Sequence, residues 1–245
     1  MRGDILKKKL MVLCAVAIMI STCLTGCKMN SGKIRFGSAG IGGTYQIFGD
    51  TFANLISSKS KKYNIEVKTT AGSAANLRLL SKDYIQMAVA QMDLINDAYN
   101  RTGIFENDKK YQGYRAVASL YTEACQIVVP ADSDIQSMDD LEGKKVCIGE
   151  EESGTEQNAL QILNAYGLNE RLVDTVNLNY TDAAKKLKSG DIDAFFCTAG
   201  VQTTVINELS KQCKIRLVSL DQKGVSRLKK SYKFYTEYTL SLIHI

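Results

Sequence analysis

Apolar runs and polar, glycine-marked turns alternate along most of this 245-residue chain. "KIRFGSA" (33–39) reads as a strand. From Thr44 to Ile56 the spacing predicts a helix with Phe48, Phe52, Leu55 and Ile56 on one face, because residues three and four apart share a helix side. "NIEVKTTA" (64–71) predicts a second strand, and a helix beginning near Ser73 follows with Leu77 and Leu80 inward. "MAVAQMD" (87–93) is almost continuously apolar, the mark of a buried strand in a parallel sheet. "YRAVASLYTEACQIVVP" (114–130) predicts two strands or one long bent strand, ending at Pro130, the chain's single proline.

The pattern then restarts. "SMDDLEGKKVCIGEE" predicts a short helix and a strand, and "SGTEQNALQILNAYGL" a helix with serine or threonine at its start and Gly167 at its C-cap. "VDTVNLNYT" is a strand, "TDAAKKLKSGDI" a short helix, and "IDAFFCTAG" another buried strand. The helix "VQTTVINELSKQ" and the strand "KIRLVSLD" close the series. Strands alternating with helices predict an α/β fold with mostly parallel sheets flanked by helices. The two halves echo each other, since "LLSKDYIQMAVAQMD" (79–93) and "KLKSGDIDAFFCTAG" (186–200) share a helix end, a turn and an apolar strand. General α/β grammar gives the same likeness as duplication does.

The N-terminus changes the picture. A basic start, "MRGDILKKK", leads into the apolar "LMVLCAVAIMISTCLTG" and the small residues Thr25 and Gly26 before Cys27, the order of an export signal. "LTGC" (24–27) resembles the lipobox of bacterial lipoproteins, in which the cysteine becomes the lipidated N-terminus. The alternative is a plain signal with an incidental cysteine. The expected organisation is a signal peptide at 1–26 and a lipidated tether at 27–32. A first lobe follows at 33–124, a second at 125–240, and an anomalous tail at 241–245. The expected location is the outer face of the cell membrane or the periplasm.

Charge and cysteine content then narrow the function. The chain carries +5 at pH 7, of which Arg2, Lys7, Lys8 and Lys9 against Asp4 supply +3. The remaining +2 leaves no basic stripe for nucleic acid. Cys125, Cys147 and Cys197 sit in apolar strand-like runs and read as buried thiols. Disulfides among these and Cys213 stay open outside the cytoplasm. No Cys-x-x-Cys occurs, and the only histidine, His244, is next to last. That inventory assembles neither a metal site nor a histidine-based triad, so no enzyme, metal or cofactor is expected.

Four loops precede predicted helices: "GSAGIGGTY" (37–45), "TTAGSAAN" (69–76), "GEEESGTEQN" (149–158) and "CTAGVQT" (197–203). Each offers backbone N–H groups at a helix start together with hydroxyls or amides, which suits a carboxylate. Singly, each is only a well-capped helix start. Together, two in each half, they predict a shared cleft. "GSAGIGG" does not fit Gly-x-Gly-x-x-Gly, and no acid is placed for a ribose, which argues against a dinucleotide.

"GSAGIGGTYQIFGDTFANLIS", "AGSAANLRLL", "AVAQMD" and "ESGTEQNALQIL" follow in order and resemble the solute-binding lipoproteins of TRAP transporters, TAXI subfamily, over about Lys33 to Tyr238. The resemblance implies a type II-like periplasmic binding protein with two hinged lobes and a cleft between them. It implies a monomer that captures a small carboxylate, often glutamate, glutamine or a dicarboxylate, and here an amino acid such as glutamate or glutamine. Its partners would be integral-membrane TRAP permease subunits driven by an ion gradient. The alternatives are a receptor for an ABC importer or a sensory binding lobe and, behind these, an exported enzyme.

Carried over by position, the implied ligand residues are Gly43, Thr44, Tyr45, Ser73, Asn76, Gln91 and Asp93 on the first lobe. On the second they are Ser153, Gly154, Thr155 and Gly200. The plainer reading of Asp93 is a cap for the helix "LINDAYN", and that of Tyr45 is core packing. Two departures stand out. Glu150, Glu151 and Glu152 lead into the Ser-Gly-Thr turn where a neutral stretch is expected, and no Lys or Arg lies inside the four loops. That balance favours an ammonium-bearing ligand over a pure dicarboxylate, unless the glutamates form an exposed rim. The second departure is "SLIHI", which follows the strand-like "KFYTEYTL" (233–240) and fits no expected element. The expectation is a break near Leu240 and an incomplete first lobe.

Overall fold

The computed structural model describes residues 32–201 and 203–240. The signal segment, Cys27 and the tail 241–245 lie outside them. Strands β1 (Lys33–Gly37), β2 (Asn64–Lys68) and β3 (Met87–Ala88) form a three-stranded sheet in the order β2-β1-β3, with β1 parallel to β3. Strands β4 (Ala124–Pro130), β5 (Lys145–Cys147), β6 (Asp174–Val176), β7 (Ala194–Ala199) and β8 (Ile215–Leu217) form a five-stranded sheet ordered β6-β5-β7-β4-β8. Pairs β5–β6 and β5–β7 are parallel, and β4 runs antiparallel to both of its neighbours. The halves built on these sheets are called the first and second lobes below.

In the first lobe, α1 (Thr44–Lys59) lies on β1 and β2. Phe36 of β1 meets Phe48 and Phe52 at ring-centroid distances of 6.1 and 5.8 Å. Gly49 permits this, since a Cβ there would stand 3.1 Å from Val67 and 3.3 Å from Phe36. Leu55, expected inward, is 54% exposed. Helices α2 (Ser73–Ser81) and α3 (Met92–Asn100) bury Ala74, Leu77, Leu94 and Ala98 with Phe105 from the short 3-10 turn Gly103–Phe105.

The second lobe is a three-layer sandwich. Successive residues of β4 and β7 point to opposite faces, as strand geometry requires. Ile127, Val129 and Phe196 join α4 (Gly154–Ala165) and α7 (Gln222–Ser231) on one face. Val128, Phe195 and Cys197 join α5 (Tyr180–Ser189) and α6 (Thr204–Gln212) on the other. Cys125 packs on the first face and Cys197 on the second. All four cysteines among the described residues are free thiols.

Three expected strands are shorter or absent. In 114–130 only Ala124–Pro130 pairs, with β7 on one side and β8 on the other. Residues 113–123 find no ladder, and Val117 is 84% exposed. Likewise 233–240 forms no strand, and "MAVAQMD" contributes only Met87–Ala88 before α3 begins. A strand persists only where a neighbour completes its hydrogen bonds. An apolar groove of about 1440 Å³ runs between the first lobe, residues 111–127 and residues 234–240. Among the described residues no helix is long and apolar enough to cross a membrane.

Candidate functional site

The four polar loops meet. A small cavity of about 40 Å³ is lined by Gly43, Thr44 and Tyr45, by Gly72 and Ser73, by Ser153, Gly154 and Thr155, and by Thr198 and Ala199. The N-terminal ends of α1, α2, α4 and α5 all border it. The first turn of a helix leaves N–H groups without intrahelical acceptors and carries the positive end of the dipole. Four such ends therefore turn their positive poles toward one space. None of the lining side chains, among the described residues, is Lys or Arg.

A hydroxyl ladder shapes the second-lobe wall. Tyr180 Oη donates to Thr198 O at 2.9 Å and lies 2.5 Å from Thr155 Oγ1, which accepts from Thr198 N at 3.4 Å. Ser153 caps α4, its Oγ accepting from Glu156 N at 2.9 Å. On the first lobe, Ser73 Oγ accepts from Gln91 N at 3.1 Å and lies 3.4 Å from Tyr45 Oη. Tyr45 Oη donates to Glu123 Oε2 at 3.1 Å. Burial, then the Glu123 charge, pushes the Tyr45 phenol well above its usual range. Burial likewise raises the Glu123 carboxyl, to about 7, against the lowering pull of its hydrogen bonds from Gln91 and Tyr45.

Of the residues the resemblance implied, eight line the cavity: Gly43, Thr44, Tyr45, Ser73, Gln91, Ser153, Gly154 and Thr155. Three do not. Asn76 is fully buried below the floor, where Nδ2 donates to Ser38 O at 2.7 Å and Val89 O at 2.9 Å and Oδ1 accepts from Thr70 at 2.8 Å. Its hydrogen-bonding capacity is taken up by the turns that carry the site. Asp93 sits in the first turn of α3, accepting from its neighbour Leu94 N at 2.8 Å, with Asn158 Nδ2 at 3.4 Å. Gly200 faces Thr44 and Tyr121 instead of the cavity.

Four lining residues fall outside the loops and residues expected from the sequence: Glu123, Leu178, Asn179 and Tyr180. Glu123 precedes β4 inside an expected strand; its signal is a lone acid at the mouth of an apolar run. Leu178 to Tyr180 fall in another expected strand, although Asn179 with Asp182 is a helix-start pair. Asn179 Oδ1 does accept from Asp182 N at 2.9 Å. The three consecutive glutamates divide their roles. Glu150 lines the cavity, Glu151 is exposed, and Glu152 pairs with Arg78 at 2.9 Å.

The lobes approach each other closely here. A Cβ on Gly40 would stand 2.6 Å from Glu150 Oε2, and one on Gly154 would overlap Gln91 Oε1. Gln91 Nε2 donates to Asn158 Oδ1 at 3.0 Å, and Ala75 N to Glu152 O at 3.1 Å. The cavity, of about 40 Å³, has room for water but not for a larger solute in this arrangement. Among the described residues no group of three His, Cys, Asp or Glu is placed to hold a metal ion.

Two α/β lobes with a polar cleft between helix N-termini define the class: the type II periplasmic-binding-protein fold. The chain is similar in structure to the alkanesulfonate-binding protein SsuA from Xanthomonas axonopodis pv. citri bound to MOPS, at 18% identity and TM-score 0.52. That match covers 77% of this chain and 60% of the other, so the chain spans about three fifths of that relative's length. The substrate-binding protein of an amino acid ABC transporter matches at 18% identity and TM-score 0.51, covering 83% of this chain and 91% of that one. The GluR0 ligand-binding core in complex with L-glutamate matches at 11% identity and TM-score 0.51, covering 82% and 92%. These likenesses concern the fold. By sequence, the chain belongs to the NMT1-like family, whose profile matches residues 36–241.

Proposed function

We propose that the chain is an extracytoplasmic solute receptor that captures a small carboxylate, an amino acid such as glutamate or glutamine, and hands it to a membrane permease. The observation that carries this reading is the convergence of four helix N-termini and their hydroxyls on one closed cleft. The donors supply a carboxylate seat, while the absence of Lys and Arg from the lining among the described residues and the presence of Glu123 and Glu150 disfavour a second negative charge. Membership in the NMT1-like family and the binding-protein fold support binding over catalysis.

The lobes are proposed as 33–124 and 125–240, exported behind the signal 1–26 and held at the membrane by acyl groups on Cys27. The TAXI resemblance makes a TRAP permease the proposed partner. An ABC importer is the second reading, favoured by the similarity to an amino acid ABC transporter's binding protein. Both share the capture step. Thermal-shift screening of the purified protein against amino acids and small dicarboxylates tests it, because a ligand stabilises the state it binds. A saturable rise in melting temperature with glutamate or glutamine is expected. A response confined to dicarboxylates would overturn the ligand class.

A further inference from the structure

The cavity holds, besides its N–H donors, a set of acceptors with nothing to accept. Gln91 Oε1 and Thr198 Oγ1 are buried, and among the described residues neither has a hydrogen-bond partner. Thr198 is 8% exposed and Gln91 lines the same cavity. Beside them stands the Glu123 carboxyl, which lines the cavity, accepts from Tyr45 at 3.1 Å and lies within hydrogen-bonding reach of Gln91. A buried amide oxygen or hydroxyl left unmatched is costly, so two of them beside a carboxyl with acceptor capacity to spare point to a ligand that brings donors. An ammonium brings three N–H donors and one positive charge.

We propose that Glu123, Gln91 Oε1 and the Thr198 hydroxyl together seat the ammonium group of the ligand, with Glu123 as the residue that selects amino acids over amine-free carboxylates. This deepens the receptor reading and rests on it. The division of labour follows from position. The helix N-termini take the carboxylate, and Glu123, at the head of β4 where the chain passes from the first sheet to the second, takes the opposite charge. The same carboxyl touches the first lobe through Tyr45, so an ammonium bridging it to Thr198 of β7 ties the two lobes at the crossover.

Proton and ammonium compete for this carboxyl. The groups facing it are Tyr45, Tyr121, Asp93, Cys125, Tyr180 and Cys197, and Glu150 lies on the far wall. Burial holds the phenols and thiols neutral and raises the Asp93 and Glu150 carboxyls, and Glu123 itself is raised to about 7.

The test compares calorimetric binding of L-glutamate, L-glutamine and glutarate to the wild-type chain and to Glu123→Gln at pH 8. The wild type is expected to bind an amino acid and to bind glutarate at least tenfold more weakly. Glu123→Gln is expected to lose tenfold or more for the amino acid while its glutarate binding holds or improves. Equal amino-acid binding by Glu123→Gln, within twofold, overturns this inference and leaves the receptor reading standing. Wild-type binding of glutarate alone, or of none of the three, overturns both. A second measurement needs no variant: wild-type affinity for the amino acid falls at least threefold from pH 8 to pH 6, where the ligand's own ammonium stays charged. A flat profile counts against Glu123.

Discussion

Arg78 of α2 reaches across the cleft and donates from Nη1 to Glu152 Oε1 at 2.9 Å. Its remaining donors are fixed on its own lobe, Nε to Asp108 at 2.9 Å and Nη2 to Ile104 O at 3.1 Å, with the guanidinium carbon 4.9 Å from the Phe105 ring centroid. Arg78 is thus pre-aimed by its own lobe, and the Glu152 contact is the one it makes to the other side of the cleft. Glu152 adopts φ +64°, an uncommon conformation for a non-glycine residue, while its backbone carbonyl accepts from Ala75 N.

Removing this contact should weaken closure without unfolding either lobe. Both side chains are partly exposed, so the pair contributes modestly, about 0.2–1 kcal/mol. Glu152→Gln is expected to raise the dissociation constant of the thermal-shift ligand roughly two- to fivefold. The ligand-free melting temperature should stay within a degree or two. An unchanged dissociation constant in low salt would show that the pair is incidental.

Gly154 offers a sharper lever. A methyl there overlaps Gln91 Oε1 across the cleft, while its site at the first position of α4 tolerates alanine well. Gly154→Ala should fold normally and bind ligand at least tenfold more weakly, because the closed arrangement is excluded. Calorimetry together with a circular dichroism melt separates the two effects.

Asn76 belongs to the scaffold. Asn76→Leu leaves the Ser38 and Val89 carbonyls without their donor and forces a bulkier side chain against Gly37. The expected cost is about 2–4 kcal/mol of folding stability. Urea unfolding measures it; a midpoint equal to wild type would return Asn76 to the list of ligand residues.

The ligand-free protein should also become more stable as the solution is acidified from pH 8 towards pH 5. Burial raises the carboxyls of Glu123, Asp93 and Glu150 above their ordinary values. A raised carboxyl binds its proton more tightly in the folded chain than in the unfolded one. Stability therefore falls as pH rises from the unfolded value near 4.5 to the folded value near 7 for Glu123, and levels off above that. Glu123→Gln should flatten most of this slope. Denaturation midpoints at half-unit pH steps give the comparison.

How much of this was legible beforehand depended on whether the signal was local. Each polar loop announced itself by glycines, hydroxyls and a following amphipathic helix, and the loops at 37–45, 69–76, 149–158 and 197–203 all reach the cleft or its edge. Long buried strands such as β7 were equally plain, since every residue of Ala194–Ala199 is buried. What failed was non-local. Whether 114–123 and 233–240 become strands depends on a partner ladder that their own residues do not specify. Glu123 and Tyr180 enter the site through chain crossings, Glu123 at the passage between sheets and Tyr180 by leaning its ring on Gly43 of the opposite lobe. Asn76 carried the right residue type in the right motif, yet its orientation beneath the turn decides what it touches.

The placement of Cys125 and Cys197 on opposite faces of one sheet gives the molecule a built-in chemical clock. The sheet itself stands between the two sulfurs, so they cannot join without dismantling it. Burial also pushes their thiols up, to about 11 and about 12, far from the reactive thiolate form. Cys197 is fully buried beneath the helices of its face, whereas Cys125 is half-buried and borders the apolar groove. A thiol reagent should therefore mark Cys197 only at the pace of second-lobe unfolding. Labelling of Cys197 times the loss of the lobe itself, while labelling of Cys125 reports access to the groove.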